Sequence, residues 1–499
     1  MASPSIQVDF DPMSSARSRF SAFRQRPRMR FWSILVFGIV LVLINLEWQL
    51  SEPDPPPFDP DVWITIKEPK GTGGRWRIPS RWLLEDTHLL PGVSRSPRTS
   101  LEAAELALAL SLSQGRFMHH SSIPLIIHQT WRTMDFDLWS PQIIQAVGTW
   151  LSHCDGGKTP GGVDIAYILW DDEGMRTFME QYEPDFFDTF SSLPSMVERT
   201  DVFRVVVLKW FGGVYGDIDT QPIKSPASWI FDSDLVSWTD PVSNATFAPK
   251  SPIPIHPSPI RFPPSYTLPN TTSHVPRPIS RPTASSHYST PAYHEYPPLP
   301  SSPRLQFDSN EPLIAAIFGI EADFPPDADS YWRAGYGFST QLTNWALAMA
   351  PHHPVALRFQ DEVRARVEDD RESLMTAYAV DLTGPVMITR VVSEWLTESA
   401  GLRWNAISGL TDGGQSKAVG DVLILAQHGF HPRLGRHFLI GGAKDQAARL
   451  SHFAQGSWRK FDPQVEVGKL CRTLFGLCRE WGKERPIVQP LSEEPTRSL

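Results

Sequence analysis

The stretch Thr200–Thr220, TDVFRVVVLKWFGGVYGDIDT, decides how the fold is read. Val202, Phe203, Val205, Val206 and Trp210 recur at helical spacing, and Gly212-Gly213 then breaks the helix with backbone freedom that no other residue allows. In the extended run that follows, side chains alternate faces, so Tyr215, Asp217 and Asp219 point one way and Val214, Gly216 and Ile218 the other. Two carboxylates held that close repel and raise each other's pKa unless a cation lies between them, and hard oxygen ligands suit Mg or Mn. The competing reading is a helix, a glycine turn and a strand whose two aspartates are merely solvated. Asp201 and Arg204, three apart on one helical face, would then be a surface ion pair worth little.

The whole string resembles the D-x-x-R-x-x-x-L-x-x-x-G-G-x-Y-x-D-x-D signature of nucleotide-sugar glycosyltransferases. Asp201, Arg204, Leu208, Gly212, Gly213, Tyr215, Asp217 and Asp219 all match it. More of the chain resembles glycosyltransferase family 32, the fungal initiation-type alpha-1,6-mannosyltransferases. The matches come in order: Ile123-Pro-Leu-Ile-Ile-His-Gln-Thr-Trp131, Gly319-Ile-Glu-Ala-Asp323, Gln341 with Trp345, Thr383-Gly-Pro385, Gly420-Asp-Val-Leu-Ile-Leu425 and His452-Phe-Ala-Gln-Gly-Ser-Trp458. Order plus spacing is harder to obtain by accident than any single motif.

That resemblance implies an α/β protein of the GT-A nucleotide-diphospho-sugar transferase fold, with a mostly parallel central sheet flanked by helices. It implies a metal-dependent, retaining hexosyltransferase with Mn2+ (or Mg2+) on Asp217, Asp219 and His452. Asp217, Asp219 and Arg204 would be catalytic, and Asp201, Trp131, Tyr215, Gly456 and Trp458 would meet the donor, with Trp131 stacking on its base. The leaving phosphate would itself deprotonate the incoming hydroxyl, so no protein base is named. Read alone, His452 could equally be a histidine hydrogen-bonded to backbone, and Trp131 could be ordinary core packing, since 18 tryptophans cannot all be functional.

The chain's 499 residues can bury a large core, and a formal charge of -9 with a pI near 5.9 argues against a nucleic-acid partner. Phe31–Leu46 is free of charge and spans about 24 Å as a helix, a little under the usual hydrocarbon core. Arg17, Arg19, Arg24, Arg26, Arg28 and Arg30 precede it and Glu47, Glu52, Asp54, Asp59 and Asp61 follow, which puts the N-terminus in the cytosol. A cleaved signal peptide fits less well, because no small-x-small site follows. The expected plan is a cytosolic basic tail (1–30), one N-terminal transmembrane signal-anchor helix (31–48), a Pro-, Gly- and Ser-rich lumenal stem (49–118), a catalytic domain (119–482) and a C-terminal tail (483–499).

Within the catalytic part, strands are expected over 123–127, 163–170 and 214–218 and helices over 173–181 and 196–211, an alternation that argues for an α/β sandwich. Thr99 and Ser100 can cap a helix from about Leu101, although Leu106, Leu108, Leu110 and Leu112 are spaced by two, which suits a strand better. Residues 240–303 carry 17 of the 47 prolines and read as a disordered surface insertion holding sequons at Asn244 and Asn270. Cys471 and Cys478, seven apart on an expected helix, would stand about 10.5 Å apart along its axis, too far to bridge. Either one of them joins Cys154 or all three are thiols.

The function expected from the resemblance is transfer of mannose from GDP-mannose to a glycan in an alpha-1,6 linkage. The enzyme would be a single-pass type II Golgi membrane protein acting on N-glycans, with a Golgi mannosyltransferase complex as a partner. The alternatives are an inositol-phosphoceramide mannosyltransferase with a glycolipid acceptor, and a catalytically silent glycan-binding membrane protein.

Overall fold

The computed structural model describes residue 66 and residues 71–85, 97–156, 162–249, 314–326, 330–369, 379–410, 412–430, 446–453 and 463–479, all within one unit, Phe58–Leu499. The expected membrane span, much of the stem, most of the insertion, Gly456, Trp458 and the C-terminal tail lie outside them. Among the described residues no helix is long and apolar enough to cross a membrane.

The helices used below are α1 (Ser100–Gln114), α2 (Pro141–His153), α3 (Asp172–Tyr182), α4 (Met196–Phe211), α5 (Ser330–Arg333), α6 (Pro354–Asp369), α7 (Pro385–Ala400) and α8 (Pro463–Phe475). The strands are β1 (Gly74–Arg77), β2 (Ile126–Thr130), β3 (Ala166–Trp170), β4 (Gly213–Gly216), β5 (Thr220–Pro222), β6 (Trp238–Thr239), β7 (Thr246–Phe247), β8 (Ala316–Asp323), β9 (Thr340–Met349), β10 (Lys417–Val419), β11 (Val422–Leu425) and β12 (Leu450–His452). Eight of these strands form one sheet in the order β1-β3-β2-β4-β9-β8-β11-β10, and β5 and β12 form a separate ladder.

The sheet is mixed, which corrects the expectation of a mostly parallel one. β3, β2 and β4 run parallel, as do β8 and β11, whereas β1, β9 and β10 oppose their neighbours. The reason lies in β9, ten residues buried throughout, which returns from β8 without a crossover helix long enough to reverse it and inserts between β8 and β4. The sheet also starts earlier than the expected boundary at residue 119. β1, inside the segment read as stem, pairs with β3, and α1 packs on both strands. Gly74, at φ 138°, permits this approach, because a Cβ there would lie 2.0 Å from the Leu169 carbonyl oxygen.

The helix expected from about Leu101 is α1, despite leucines whose spacing by two suits a strand. Thr99 caps it by accepting from the Glu102 N–H, Gly115 ends it in the left-handed conformation, and burial almost all round removes the one-sided period that marks a surface helix. Burial also traps Glu105, whose carboxyl accepts from the Tyr182 hydroxyl at 2.8 Å on α3. Desolvation, only partly offset by that bond, pushes the Glu105 pKa from 4.5 up to about 8. Folding therefore takes up a proton across that window, and stability falls as pH rises through it. Glu105→Gln should match the parent near pH 4 and be more stable by a few kcal/mol near pH 8.5, read by urea unfolding at the two pH values. An equal gap at both would remove Glu105 as the source.

The helices expected over 173–181 and 196–211 are α3 and α4, and the strands expected over 123–127, 163–170 and 214–218 are β2, β3 and β4 with shifted ends. α4 is capped by Ser195, stopped by Gly212 at φ 61°, and buried along most of its length. Its Phe211 stacks on Trp170 and lies tilted against Phe178, while its Phe203 meets both of those rings edge to face, between the helices and the sheet. Gly213, at φ 95°, opens β4, where a Cβ would meet the Ile126 carbonyl oxygen at 2.3 Å. Gly213→Ala is expected to destabilise the fold by about 2 kcal/mol or more, since it combines backbone strain with a backbone clash, and a thermal melt unchanged from the parent would contradict this.

Cys471 and Cys478 form a disulfide with their Cα atoms 6.0 Å apart, which corrects the expectation that they cannot meet. α8 stops at Phe475, and Gly476 at φ 61° turns the chain back, so the axial spacing of a continuous helix does not apply. Cys154 is a buried thiol, pushed up to about 12 by desolvation.

Candidate active site

The site is a turn with a buried scaffold behind it. β4 ends at Gly216, so Asp217, Ile218 and Asp219 do not continue the strand alternation but turn. The turn closes through the Thr220 N–H and hydroxyl, both donating to the Asp217 carbonyl oxygen at 3.0 and 2.5 Å, and the Asp217 N–H donates to the Trp345 carbonyl oxygen on β9 at 2.8 Å. The two carboxylates still share one centre. A ligand atom from each of Asp217, Asp219 and His452 lies within 4.8 Å of the others, the group of this kind found among the described residues. One imidazole and two carboxylates are an oxygen-rich donor set that fits Mn2+ or Mg2+.

His452 reaches the turn because β12 pairs antiparallel with β5, setting His452 opposite Thr220, while the Phe453 N–H donates to the Asp219 carbonyl oxygen. Its Nε2 lies 3.2 Å from Asp219 Oδ1, and its ring stacks on Trp345 with centroids 4.4 Å apart.

Behind Asp217 stands Arg204 of α4, almost fully buried, whose guanidinium pairs with Asp217 at 3.2 Å and Asp201 at 3.0 Å and donates to the Asn344 carbonyl oxygen at 2.8 Å. Burial opposes its charge, but Asp217 and Asp201 outweigh that and hold its pKa above the ordinary value. The Asp217 carboxyl is raised by burial and again by Asp219, with Arg204 and His452 pulling the other way. Asp201 is pushed up to about 7, chiefly by burial, with Arg204 opposing. Its oxygens accept from Asn344 Nδ2 at 2.9 Å and the Thr383 hydroxyl at 3.1 Å.

Tyr215 is wholly buried, its hydroxyl 2.9 Å from Thr130 Oγ1 and its ring 5.2 Å from the Arg204 guanidinium carbon. Asp201, Arg204 and Tyr215 thus back the turn from inside the protein. Trp131 follows β2 and is half-buried, packed edge-on against Trp139 at the end of the sheet where the turn also lies.

Several supporting residues escaped sequence reasoning as individuals. Gln129, buried in β2, donates to the Gly216 and Asp217 carbonyl oxygens at 3.2 and 3.1 Å and is held by the Tyr167 hydroxyl at 2.7 Å. His128 beside it is pushed down to about 3 by burial, so its neutral ring donates to the Gly212 carbonyl oxygen and accepts from Trp170 Nε1. The only prior signal for Gln129, Asn344 and Thr383 was their place in or beside the family strings.

Residues 141–236 match the family described as "Glycosyltransferase sugar-binding region containing DXD motif". The chain is 23% identical over 368 residues to an initiation-specific alpha-1,6-mannosyltransferase of Schizosaccharomyces pombe, covering 72% of this chain and 69% of that one. It is 38% identical over 117 residues to inositol phosphoceramide mannosyltransferase 3 of the same organism, covering 22% of this chain and 30% of that one. Among solved structures it is similar to PaToxG glycosyltransferase at 12% identity and a TM-score of 0.28, over 62% of this chain and 81% of that one. Arg204, Asp217 and Asp219 lie inside the matched segment and are assembled as described, so residues 141–236 carry a sugar-binding region of the DXD glycosyltransferase type and the protein is an enzyme.

Proposed function

We propose that the protein transfers mannose from GDP-mannose, with retention of configuration, to a glycan acceptor in the Golgi lumen, forming an alpha-1,6 linkage on N-glycans. The GT-A fold and a single type II membrane anchor are part of the same reading. The observation that carries it is the convergence of Asp217, Asp219 and His452 on one centre, with Arg204 behind it. A divalent ion held there would act as a Lewis acid toward the departing diphosphate.

The chain's own residues fix that centre. Arg204 compensates the desolvation of Asp217 and Asp201 together. Gln129 and the Trp345 carbonyl fix the backbone on either side of Asp217, and the β5–β12 ladder fixes His452. Trp131, at the same end of the sheet and partly exposed, with the Arg132 guanidinium carbon 5.6 Å from its ring centroid, would meet the donor base. The test is hydrolysis of a panel of nucleotide sugars by the purified full chain with and without Mn2+. Turnover of GDP-mannose alone is expected, and no turnover of any donor would leave the silent glycan-binding reading.

A second acceptor class is suggested by the other kind of relative: the chain is 38% identical over 117 residues to an inositol phosphoceramide mannosyltransferase, beside 23% over 368 residues to the alpha-1,6-mannosyltransferase. Parallel assays with an N-glycan core and with inositol phosphoceramide separate the two. The lumenal placement has its own check at Asn244, exposed in the turn between β6 and β7 with Thr246 two residues on. Asn244→Gln is expected to remove one glycan's worth of mobility shift; identical mobility of parent and variant, before and after enzymatic deglycosylation, would speak against it.

A further inference from the structure

α8 is buried through one narrow face and apolar on another. Val465, Gly468 and Arg472 are buried, and the helix packs on α5, with Arg333 and Arg479 both set against the Trp332 ring. Roughly 120° round the helix, Val467, Leu470, Leu474 and Phe475 form a stripe that is 49 to 66% exposed, and Leu477 just beyond is 64% exposed. Five of the thirteen exposed large hydrophobic side chains among the described residues thus fall between positions 467 and 477, with no charged residue in the stripe. The Cys471–Cys478 disulfide ties the turn after the helix back onto it, so this surface is held in shape.

Its place in the fold is informative. β8 and β4 both oppose β9, so they run in the same direction, and the chain leaves β8 at the edge of the sheet where it leaves β4 for Asp217. α5 lies in that exit and carries α8. The apolar stripe and the acidic turn therefore belong to one edge of the sheet.

We infer that the outward stripe of α8 lies on the surface of a lipid bilayer, seating the active-site edge of the sheet next to the membrane. This rests on the membrane-anchored reading proposed above. The charge-free run Phe31–Leu46 behind six arginines would hold the catalytic part beside a bilayer at high effective concentration, so a short amphipathic contact suffices to dock it. Leucine, valine and phenylalanine without charge on the contact stripe suit hydrocarbon at the interface.

The test places the full chain in phosphatidylcholine–phosphatidylserine vesicles containing a lipid with a photoreactive acyl chain, then maps adducts by mass spectrometry after irradiation. Adducts are expected on two peptides, one holding residues 31–46 and one holding residues 463–479. Leu470→Glu/Leu474→Glu, both at exposed positions, should cut the second set about tenfold or more while leaving the first set and the hydrolysis of donor in solution unchanged. Adducts confined to 31–46 overturn the docking and keep the anchor. Adducts on 463–479 alone support the docking and remove the anchor, and adducts on neither overturn both. Cross-links between two copies through 463–479 in place of lipid adducts overturn it in favour of a dimer.

Discussion

Asp217→Asn is expected to lower metal-dependent turnover of the sugar nucleotide by roughly a hundred- to a thousandfold without unfolding the protein. Catalysis loses a charged oxygen at the centre shared with Asp219 and His452. Stability does not follow, because the same carboxylate is raised by burial and by Asp219, so removing its charge relieves a repulsion. The amide keeps the shape of the side chain, and the backbone bonds of the turn, to Trp345, Thr220 and Gln129, involve no carboxylate. Steady-state turnover at saturating Mn2+ and a melting curve on the same sample are the measurements. Turnover within about tenfold of the parent would show that the turn is not where the chemistry happens.

Arg204→Met should do the reverse and attack the fold first. Its guanidinium is shared by the buried Asp201 carboxylate, the half-buried Asp217 carboxylate and the Asn344 carbonyl oxygen, and removing it leaves Asp201 buried and Asp217 partly buried without compensation, a loss of about 3 kcal/mol. Lysine cannot span these partners with one ammonium, so Arg204→Lys should recover only a fraction. Adding Asp201→Asn to Arg204→Met should restore part of the loss, since one of the two stranded charges is then gone. Urea unfolding of the three variants reads this directly. A loss below about 1 kcal/mol for Arg204→Met would mean that the buried pair is not what holds α4 to the turn.

Much of this was legible in the sequence because local chemistry wrote it there. α4 was readable from its apolar spacing and its Gly212-Gly213 stop, and the acidic pair from two carboxylates in three residues. What could not be read was set by distant chain. The insertion of β9 between β8 and β4 makes the sheet mixed, and neither strand's own residues encode which neighbour it takes. α1 was legible from its cap at Thr99 and not from its leucines, because burial on most sides erases helical periodicity. The Cys471–Cys478 bridge depended on a helix end that only Gly476 announces. The alternation argument also placed Asp217 and Asp219 on a strand, whereas a turn brings them together, so the pairing was found through the wrong local geometry. Tyr215 and Asp201 are buried behind the turn because the strand and helix that bear them pack face to face, which residue type alone does not reveal.

The ladder between β5 and β12 ties the acidic turn to a strand near the far end of the described chain. A site completed in this way is assembled late in synthesis: a nascent polypeptide whose eight-stranded sheet is already made still lacks the imidazole of the candidate metal centre. A chain ending before Leu450 would therefore lack one of the three candidate metal ligands, however much of its sheet had formed.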